Sequence, residues 1–369
     1  MSSKESQMGT SSTEDQESVS EYAMQLTGAS VLPSVLKAAI DLGVLEIIGK
    51  AGPGALLSAS QIASQLPTHS NANLVSSNLL LDCMLRVLAS HSILTCSITH
   101  QNDGHVLRLY GLAPVSKYFD RNQDGGTLAL LLDLVQNKVI MSTWDHLKDA
   151  VLEGVLPFNK AHGMNMSEFV LKDARLRETY VGSMKGFNQV ILEKILETYK
   201  GFEGLKSLVD VGGGDGTILN IIISKYPAIK GLNFDLASVI ENLPSYPGIE
   251  HVAGDMFVSI PKGDAIFMKW IIHQHVDKDS LKVLKNCYEA LPERGKVILV
   301  DMVVPEVSET SAAHKSFFQL YLFLLNSNPL GQERTEREFE SLAKAAGFSS
   351  IQVAGFACGF SVVEFYKNM

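Results

Sequence analysis

Leu208-Val209-Asp210-Val211-Gly212-Gly213-Gly214-Asp215-Gly216 is a short apolar run that ends in an acid and breaks into glycines. An amphipathic segment, Thr217 to Tyr226, follows at once. This order predicts a strand, a tight turn and a helix, the unit that wraps a nucleotide-like cofactor. Glycines suit the turn because the backbone bends sharply and a ligand approaches where any Cβ would collide.

The glycine spacing bears on which cofactor fits. A dinucleotide fingerprint reads G-x-G-x-x-G, its third glycine packing helix on strand. Gly212 and Gly214 fill the first two places, but Thr217 stands at the third and Gly216 comes one residue early. Two acids, Asp210 and Asp215, flank the turn and would repel a pyrophosphate. A ligand with a cationic centre and ribose hydroxyls, such as S-adenosylmethionine, suits that charge. An ordinary glycine-rich turn is the alternative reading of the same residues.

A chain of 369 residues is long enough for about two domains and a large core. Its hydrophobic fraction of 46% and mean hydropathy of +0.12 indicate a globular protein. A net charge of −9 argues against nucleic acid or an anionic membrane as the main partner. No uninterrupted apolar run is long enough for a transmembrane helix. Residues 1–18 are rich in Ser, Thr, Glu and Gln and read as a disordered, solvated tail rather than a targeting peptide. The four cysteines, Cys83, Cys96, Cys287 and Cys358, lack C-x-x-C spacing and read as reduced thiols of a cytoplasmic protein. No His/Cys cluster has zinc spacing, so no metal is expected.

The first half of the chain carries the helical period. Apolar residues recur at threes and fours from Tyr22 through Ile40, with Pro33 starting a new helix or kinking the old one. Ser60–Leu66 and Leu79–Leu88 predict two further helices. Ile93–Ile98 and Val106–Tyr110 predict paired strands around the polar turn Gln101-Asn102-Asp103-Gly104. Helices followed by a two-stranded wing suggest a winged-helix arrangement. The candidate recognition helix has no Lys/Arg stripe, so a pairing role fits better than DNA binding.

From Leu208 strands and helices alternate, which predicts an α/β, Rossmann-like, mostly parallel sheet with helices on both faces. The expected strands are 207–211, 232–236, 251–253, 265–270 and 296–302, with a last pair near 351–354 and 361–366. Ser280 is expected to cap the helix carrying Leu281, Leu284, Cys287 and Leu291. Ligands of such sheets sit beyond the carboxyl ends of the strands. There the sequence places the glycines, then Asp235, about 20 residues past the turn, where a carboxylate takes ribose hydroxyls. Asp255-Met256-Phe257 follows the third strand, an acid that either caps a helix or binds ligand, then two apolar groups able to cover an adenine ring. Lys269, Trp270 and His273 follow the fourth strand, and Asp301 and Met302 end the fifth.

Val209-Asp-Val-Gly-Gly-Gly, Gly254-Asp-Met-Phe-Val, Phe267-Met-Lys-Trp-Ile, Leu284-Lys-Asn-Cys-Tyr-Glu-Ala-Leu-Pro and Glu333-Arg-Thr-Glu-Arg-Glu-Phe, with Phe202-Glu-Gly-Leu-Lys upstream, resemble the plant caffeic acid O-methyltransferase family. The resemblance runs from about Tyr22 to Tyr366. It implies a class I methyltransferase domain over 201–369, a helical linker and substrate-pocket segment over 121–200, and a mainly α, winged-helix-like dimerisation domain over 19–120. It implies a homodimer, S-adenosylmethionine as cofactor and a small phenolic substrate. By the same likeness Gly212, Asp235, Asp255, Met256 and Lys269 contact the cofactor. His273 is the general base, Asp301 and Glu333 are its supporting acids, and Tyr180, Met184, Leu324 and Asn328 line the substrate pocket.

A neutral phenol, with a pKa near 10, is a poor nucleophile. A nearby imidazole can take its proton as the oxygen attacks the methyl group, and a carboxylate behind the ring fixes the tautomer. His273 has a plainer alternative as a core histidine satisfied by backbone. The chain also departs from the family. Gln274 and His275 stand where an acid and a tryptophan usually follow the base, and Asp301 replaces a glutamate. Val135, Met166 and Val170 replace residues that are usually polar or small, and Leu330 and Gln332 alter the loop after Asn328. Extra residues around Leu74 to Leu79 are expected to lengthen a loop. Three readings follow: an O-methyltransferase of altered specificity acting on a phenolic plant metabolite; a relative of changed chemistry, for example closing a hydroxycinnamoyl ester or thioester to a coumarin-type lactone; and a catalytically silent dimer partner.

Overall fold

A computed structural model describes residues 13–67, 74–102, 104–121, 126–327 and 331–368. The chain divides into two compact units, Met1–Gln136 and Asn137–Met369. In the first, helices Thr13–Thr27, Val31–Asp41, Val44–Lys50, Ala59–Ala63 and Leu74–Ser90 precede an antiparallel hairpin of β1 (Leu94–His100) and β2 (Val106–Leu112). Leu36, Ile40, Leu45, Ile48, Ile62, Leu85, Leu88 and Tyr110 form its core. Apart from Tyr110 on β2, these positions lie on helices at the helical period, so burying one stripe per helix builds most of the unit. The Tyr110 hydroxyl would be orphaned in that core, but it donates to Asp82 Oδ1 at 2.6 Å, and Arg86 meets the same carboxylate.

Two expectations shift here. The first described helix begins at Thr13, inside the stretch expected as a tail. The residues expected to lengthen a loop at Leu74 to Leu79 are instead the opening turns of the helix Leu74–Ser90. Loop and helix insertions look alike without the packing partner that decides between them. Val19, Tyr22, Met24 and Leu26 of the helix Thr13–Thr27 stay exposed.

Among its described residues the second unit holds a seven-stranded sheet: β3 (Ser207–Val211), β4 (Lys230–Asp235), β5 (Ile249–Ala253), β6 (Ala265–Lys269), β7 (Lys296–Asp301), β8 (Ser350–Ala357) and β9 (Phe360–Tyr366), in the order β5-β4-β3-β6-β7-β9-β8. The first five are parallel, and β9 runs antiparallel to β7 and to β8. Every residue of β6 is buried, as expected of a strand covered on both faces. Val209, Ile266, Met268, Leu284, Leu299, Phe339 and Phe365 belong to the core. The chain moves outward from β3 to β5 and then returns to β6, so the order reverses at β3, and a crevice opens beyond the carboxyl ends of β3 and β6.

Local signals fix the helices that border that crevice. Asp173 accepts the Leu176 amide at 2.9 Å and starts the long helix Ala174–Thr198. Thr335 and Glu338 form a reciprocal capping box, and Gly347 ends the helix Glu336–Ala346 in the left-handed region. Ser280 is not the cap expected of it. The helix begins at Asp277, and the buried Ser280 hydroxyl donates back to the carbonyls of Ile272 and His275. Asp277 and Asp279 complement the positive helix start instead.

Candidate functional site

The glycine turn is shaped by side chains packed against it. Gly212 adopts φ +70°, and a Cβ there would lie 2.3 Å from Ile271 Cδ1. A Cβ on Gly213 would lie 2.1 Å from Asn233 Oδ1 and 2.7 Å from Asp210 Oδ2. The turn is tied down from β4: the Gly214 amide donates to Asp235 Oδ2 at 2.9 Å, and Asn233 Nδ2 donates to Gly214 O at 3.0 Å. Asp235 Oδ1 accepts from its neighbour, the Leu236 amide, at 2.7 Å. Asp255 Oδ1 accepts from the Phe257 amide at 2.8 Å, so this acid caps its own turn.

A cavity of about 520 Å³ lies between these turns, lined by Gly212, Asp235, Asp255, Met256, Phe257 and His275, with Phe234, Leu236, Gly254, Ile271 and Gln274 completing the wall. A wall that combines two acids with apolar groups suits a ligand with hydroxyls, a flat base and a positive charge. Below the turn, Asp210 Oδ2 and Asn233 Oδ1 are buried acceptors with no hydrogen-bond donor among the described residues. Burial, with the charges of Asp235 and Asp215, pushes the Asp210 carboxyl up to about 7. A cation above it relieves that cost. The residues present therefore fit S-adenosylmethionine.

On the other side of the crevice, β6 runs into a strained turn. Trp270 takes φ +57°, a conformation uncommon for a bulky residue, and Gln274 Nε2 donates to its carbonyl at 2.7 Å. The 3₁₀ turn Ile272–Gln274 then presents His273. Its Nδ1 lies 2.9 Å from Glu333 Oε1, and the two side chains are only 9% and 4% exposed. The Trp270 ring stacks on the imidazole at 5.5 Å and 24°, and is itself walled by Phe187 and Phe360. His273 and Glu333 share a small recess with Leu324, Tyr321, Leu325 and Gly331.

Asp301 stands apart from Glu333 in its bonding. It is fully buried at the end of β7, and neither carboxylate oxygen has a hydrogen-bond partner among the described residues. Burial pushes its carboxyl up to about 7, against the pull of His273 and Lys269. Lys269, buried between Asp301 and Asp210, is brought down to about 7 by the same loss of water, and donates to Asn188 Oδ1. Lys269 does not line the cavity that holds the other expected cofactor residues.

Tyr180 and Met184 lie on the helix Ala174–Thr198, four residues apart, and Phe187 continues the same face. Through Phe187 that face reaches Trp270 at 5.5 Å. Met166 is buried, Val135 belongs to the first unit, and Asn328 and Leu330 lie outside the described residues. Sequence reasoning missed Asn233, Ile271, Phe360 and Arg334. Ile271 and Arg334 stand inside two of the quoted motifs, which was the available signal, but no role was read for them there. Asn233 and Phe360 offered none.

Residues 144–349 match the family model for the O-methyltransferase domain, and residues 24–122 match the O-methyltransferase dimerisation domain. The chain is 54% identical over 367 residues to caffeic acid 3-O-methyltransferase 1 of Populus tremuloides, covering 100% of this chain and 99% of that protein. It is 54% identical over 348 residues to caffeic acid 3-O-methyltransferase of Medicago sativa, covering 94% of each. Among solved structures it resembles the calicheamicin-biosynthesis methyltransferase CalO1 in its SAH-bound form, with a TM-score of 0.77 and 21% identity over 96% of this chain and 99% of that one. It also resembles human N-acetylserotonin methyltransferase in complex with SAM, with a TM-score of 0.72 and 20% identity over 98% of this chain and 100% of that one. At those identities the structural likeness speaks to the fold alone. The extent and identity of the sequence match place the chain in the plant caffeic acid O-methyltransferase family, with a dimerisation domain followed by an S-adenosylmethionine-dependent O-methyltransferase domain.

Proposed function

We propose that this protein transfers the methyl group of S-adenosylmethionine to a phenolic hydroxyl of a phenylpropanoid or related plant metabolite, with His273 as general base. The observation that carries the reading is the His273–Glu333 pair at 2.9 Å in a recess beside the cavity. With Nδ1 engaged by Glu333, Nε2 is the nitrogen left to take a proton from an acceptor hydroxyl. A carboxylate on the far side of the ring stabilises the imidazolium as it forms. When bound, the donor supplies an electrophilic methyl group on a sulfonium that already leaves well. Gly212, Asp235, Asp255 and Met256 would hold it, and Lys269 would balance the acids beneath it. Tyr180, Met184, Leu324 and Asn328 would align the acceptor, and Trp270 with Phe187 would keep water away from the base. Asp301 is coupled to His273 electrostatically and makes no bond to it among the described residues. The exposed apolar side chains Val19, Tyr22, Met24 and Leu26 give the dimerisation domain a face to bury in a homodimer. Free Cys83, Cys96, Cys287 and Cys358 suit a cytoplasmic setting.

The test is incubation of purified protein with methyl-labelled S-adenosylmethionine and a panel of caffeoyl, feruloyl and simple phenols. Methylated product that disappears in His273→Ala supports the reading. Donor binding by calorimetry with no methylated product from any phenol overturns it. So does consumption of a hydroxycinnamoyl thioester without donor, which would favour lactone formation.

A further inference from the structure

Arg334 is the largest fully buried side chain among the described residues. A buried guanidinium is costly unless its donors are matched, and here five N–H groups find a built set of acceptors. Nη1 donates to Ile272 O at 3.0 Å and to Gln332 O at 3.3 Å. Nη2 donates to His275 O at 2.9 Å, to Asp277 Oδ1 at 2.8 Å and to Ser280 Oγ at 3.3 Å. Nε donates to Asp277 Oδ1 at 3.0 Å. All but one of these acceptors belong to the segment that carries His273, and the two carbonyls of that segment flank the base along the chain.

The neighbours of Arg334 grip the same segment. The Gln332 amide donates to His273 O at 2.8 Å, and Glu333 holds the ring; the first of these is a backbone bond. The segment Gln332–Arg334 is anchored in turn to the chain just past β7, where the Val304 amide donates to Arg334 O at 2.9 Å. The gripped turn has two sides. Ile271, Gln274 and His275 line the donor cavity, while His273 lines the recess next to it. Whatever fixes this turn therefore fixes the base relative to the donor. Within the turn the His275 amide donates to Ile272 O at 3.2 Å and the Ser280 hydroxyl reaches both carbonyls; the guanidinium adds the donors that tie these carbonyls to the segment holding Glu333, and an apolar side chain of equal size could not replace the fork.

We propose that Arg334 is a positioning residue for the methyl transfer: its guanidinium sets the turn Ile272–His275, and so the placement of the His273 imidazole against the donor, without touching donor or acceptor. This inference rests on the reading of His273 as the base. Its partner Asp277 is 65% exposed, so the buried charge is balanced by a carboxylate that water also reaches, and that partner can be changed without opening the core.

The experiment measures methyl transfer by Arg334→Lys, which keeps the charge and loses the fork, in the intact sequence and in a His273→Ala background. Donor affinity is read by calorimetry. The expected result is a drop in kcat of roughly 10- to 100-fold in the intact sequence, with donor Kd within threefold. In the His273→Ala background the same change should alter the residual rate less than twofold, because the base it positions is gone. An equal loss in both backgrounds, or no loss in the intact sequence, overturns the proposal. If Arg334→Lys does not fold, Asp277→Asn is judged by the same two-background criterion, with an expected drop of roughly 3- to 10-fold. A His273→Ala variant as active as the intact protein overturns the base reading itself, whatever Arg334→Lys does.

Discussion

Glu333→Gln removes a charge and almost no volume. In the structure Glu333 Oε1 meets His273 Nδ1 at 2.9 Å, and both side chains are nearly free of solvent. Its second oxygen, Oε2, is buried without a donor among the described residues, and Oε1 is the one that meets the imidazole. When His273 takes a proton from a phenol, an ion pair forms behind the ring. A hydrogen bond to a charged group contributes about 1.5–3 kcal/mol where a neutral one contributes about 1. Gln keeps a neutral bond, so the loss is the difference between the two, and its upper part, because water does not screen the pair, is about 1–2 kcal/mol at the transition state. That is a fall in kcat of roughly 5- to 30-fold. Glu333 is not part of the donor cavity, so donor Kd should stay within twofold. The assay is steady-state transfer of labelled methyl to the best phenol of the panel, with calorimetry for the donor and a melting curve to confirm folding. A folded Glu333→Gln variant with kcat within threefold of the unsubstituted protein refutes the reasoning. A larger loss from Asp301→Asn would move the supporting role from Glu333 to Asp301.

Three further outcomes are expected. The Asp301 carboxyl is raised from 3.8 to about 7 by burial, so the folded state holds a proton that the unfolded state releases. Stability is then fully present below about pH 4 and lost as pH rises toward 7; Asp301→Asn should remove up to about 3 kcal/mol of the decline between pH 5 and 7 in urea melts, and parallel curves for the two proteins would refute this. Gly213→Ala puts a methyl 2.1 Å from Asn233 Oδ1 and should weaken donor binding at least tenfold by calorimetry and lower stability by roughly 1–3 kcal/mol; unchanged affinity would mean that the turn does not shape the donor site. Gln274→Glu keeps the shape but cannot donate to the Trp270 carbonyl, and should lower kcat about fivefold, the equivalent of one hydrogen bond; a faster enzyme would show that the strained Trp270 turn is held by other contacts.

The sequence by itself determined the sheet and its ligand edge. Glycines, alternating apolar runs and the acids Asp235 and Asp255 are local signals, and strand ends of an open α/β sheet converge by topology, so reading each strand's last residues already assembled the cavity wall. It also placed His273 next to that wall. Tertiary structure decided what one-dimensional spacing does not encode. Asp301 and Glu333 looked equivalent as carboxylates, yet of the two only Glu333 bonds His273, because the short Asp301 side chain is fully buried at the end of β7. Ser280 had every local mark of a helix cap, but the helix starts at Asp277 and the hydroxyl turns to the carbonyls of Ile272 and His275. Arg334 read as one charge in a charged run. It is buried because residues 54 to 62 positions earlier in the chain supply its acceptors, and no pattern of neighbours along the sequence reports contacts made over that distance.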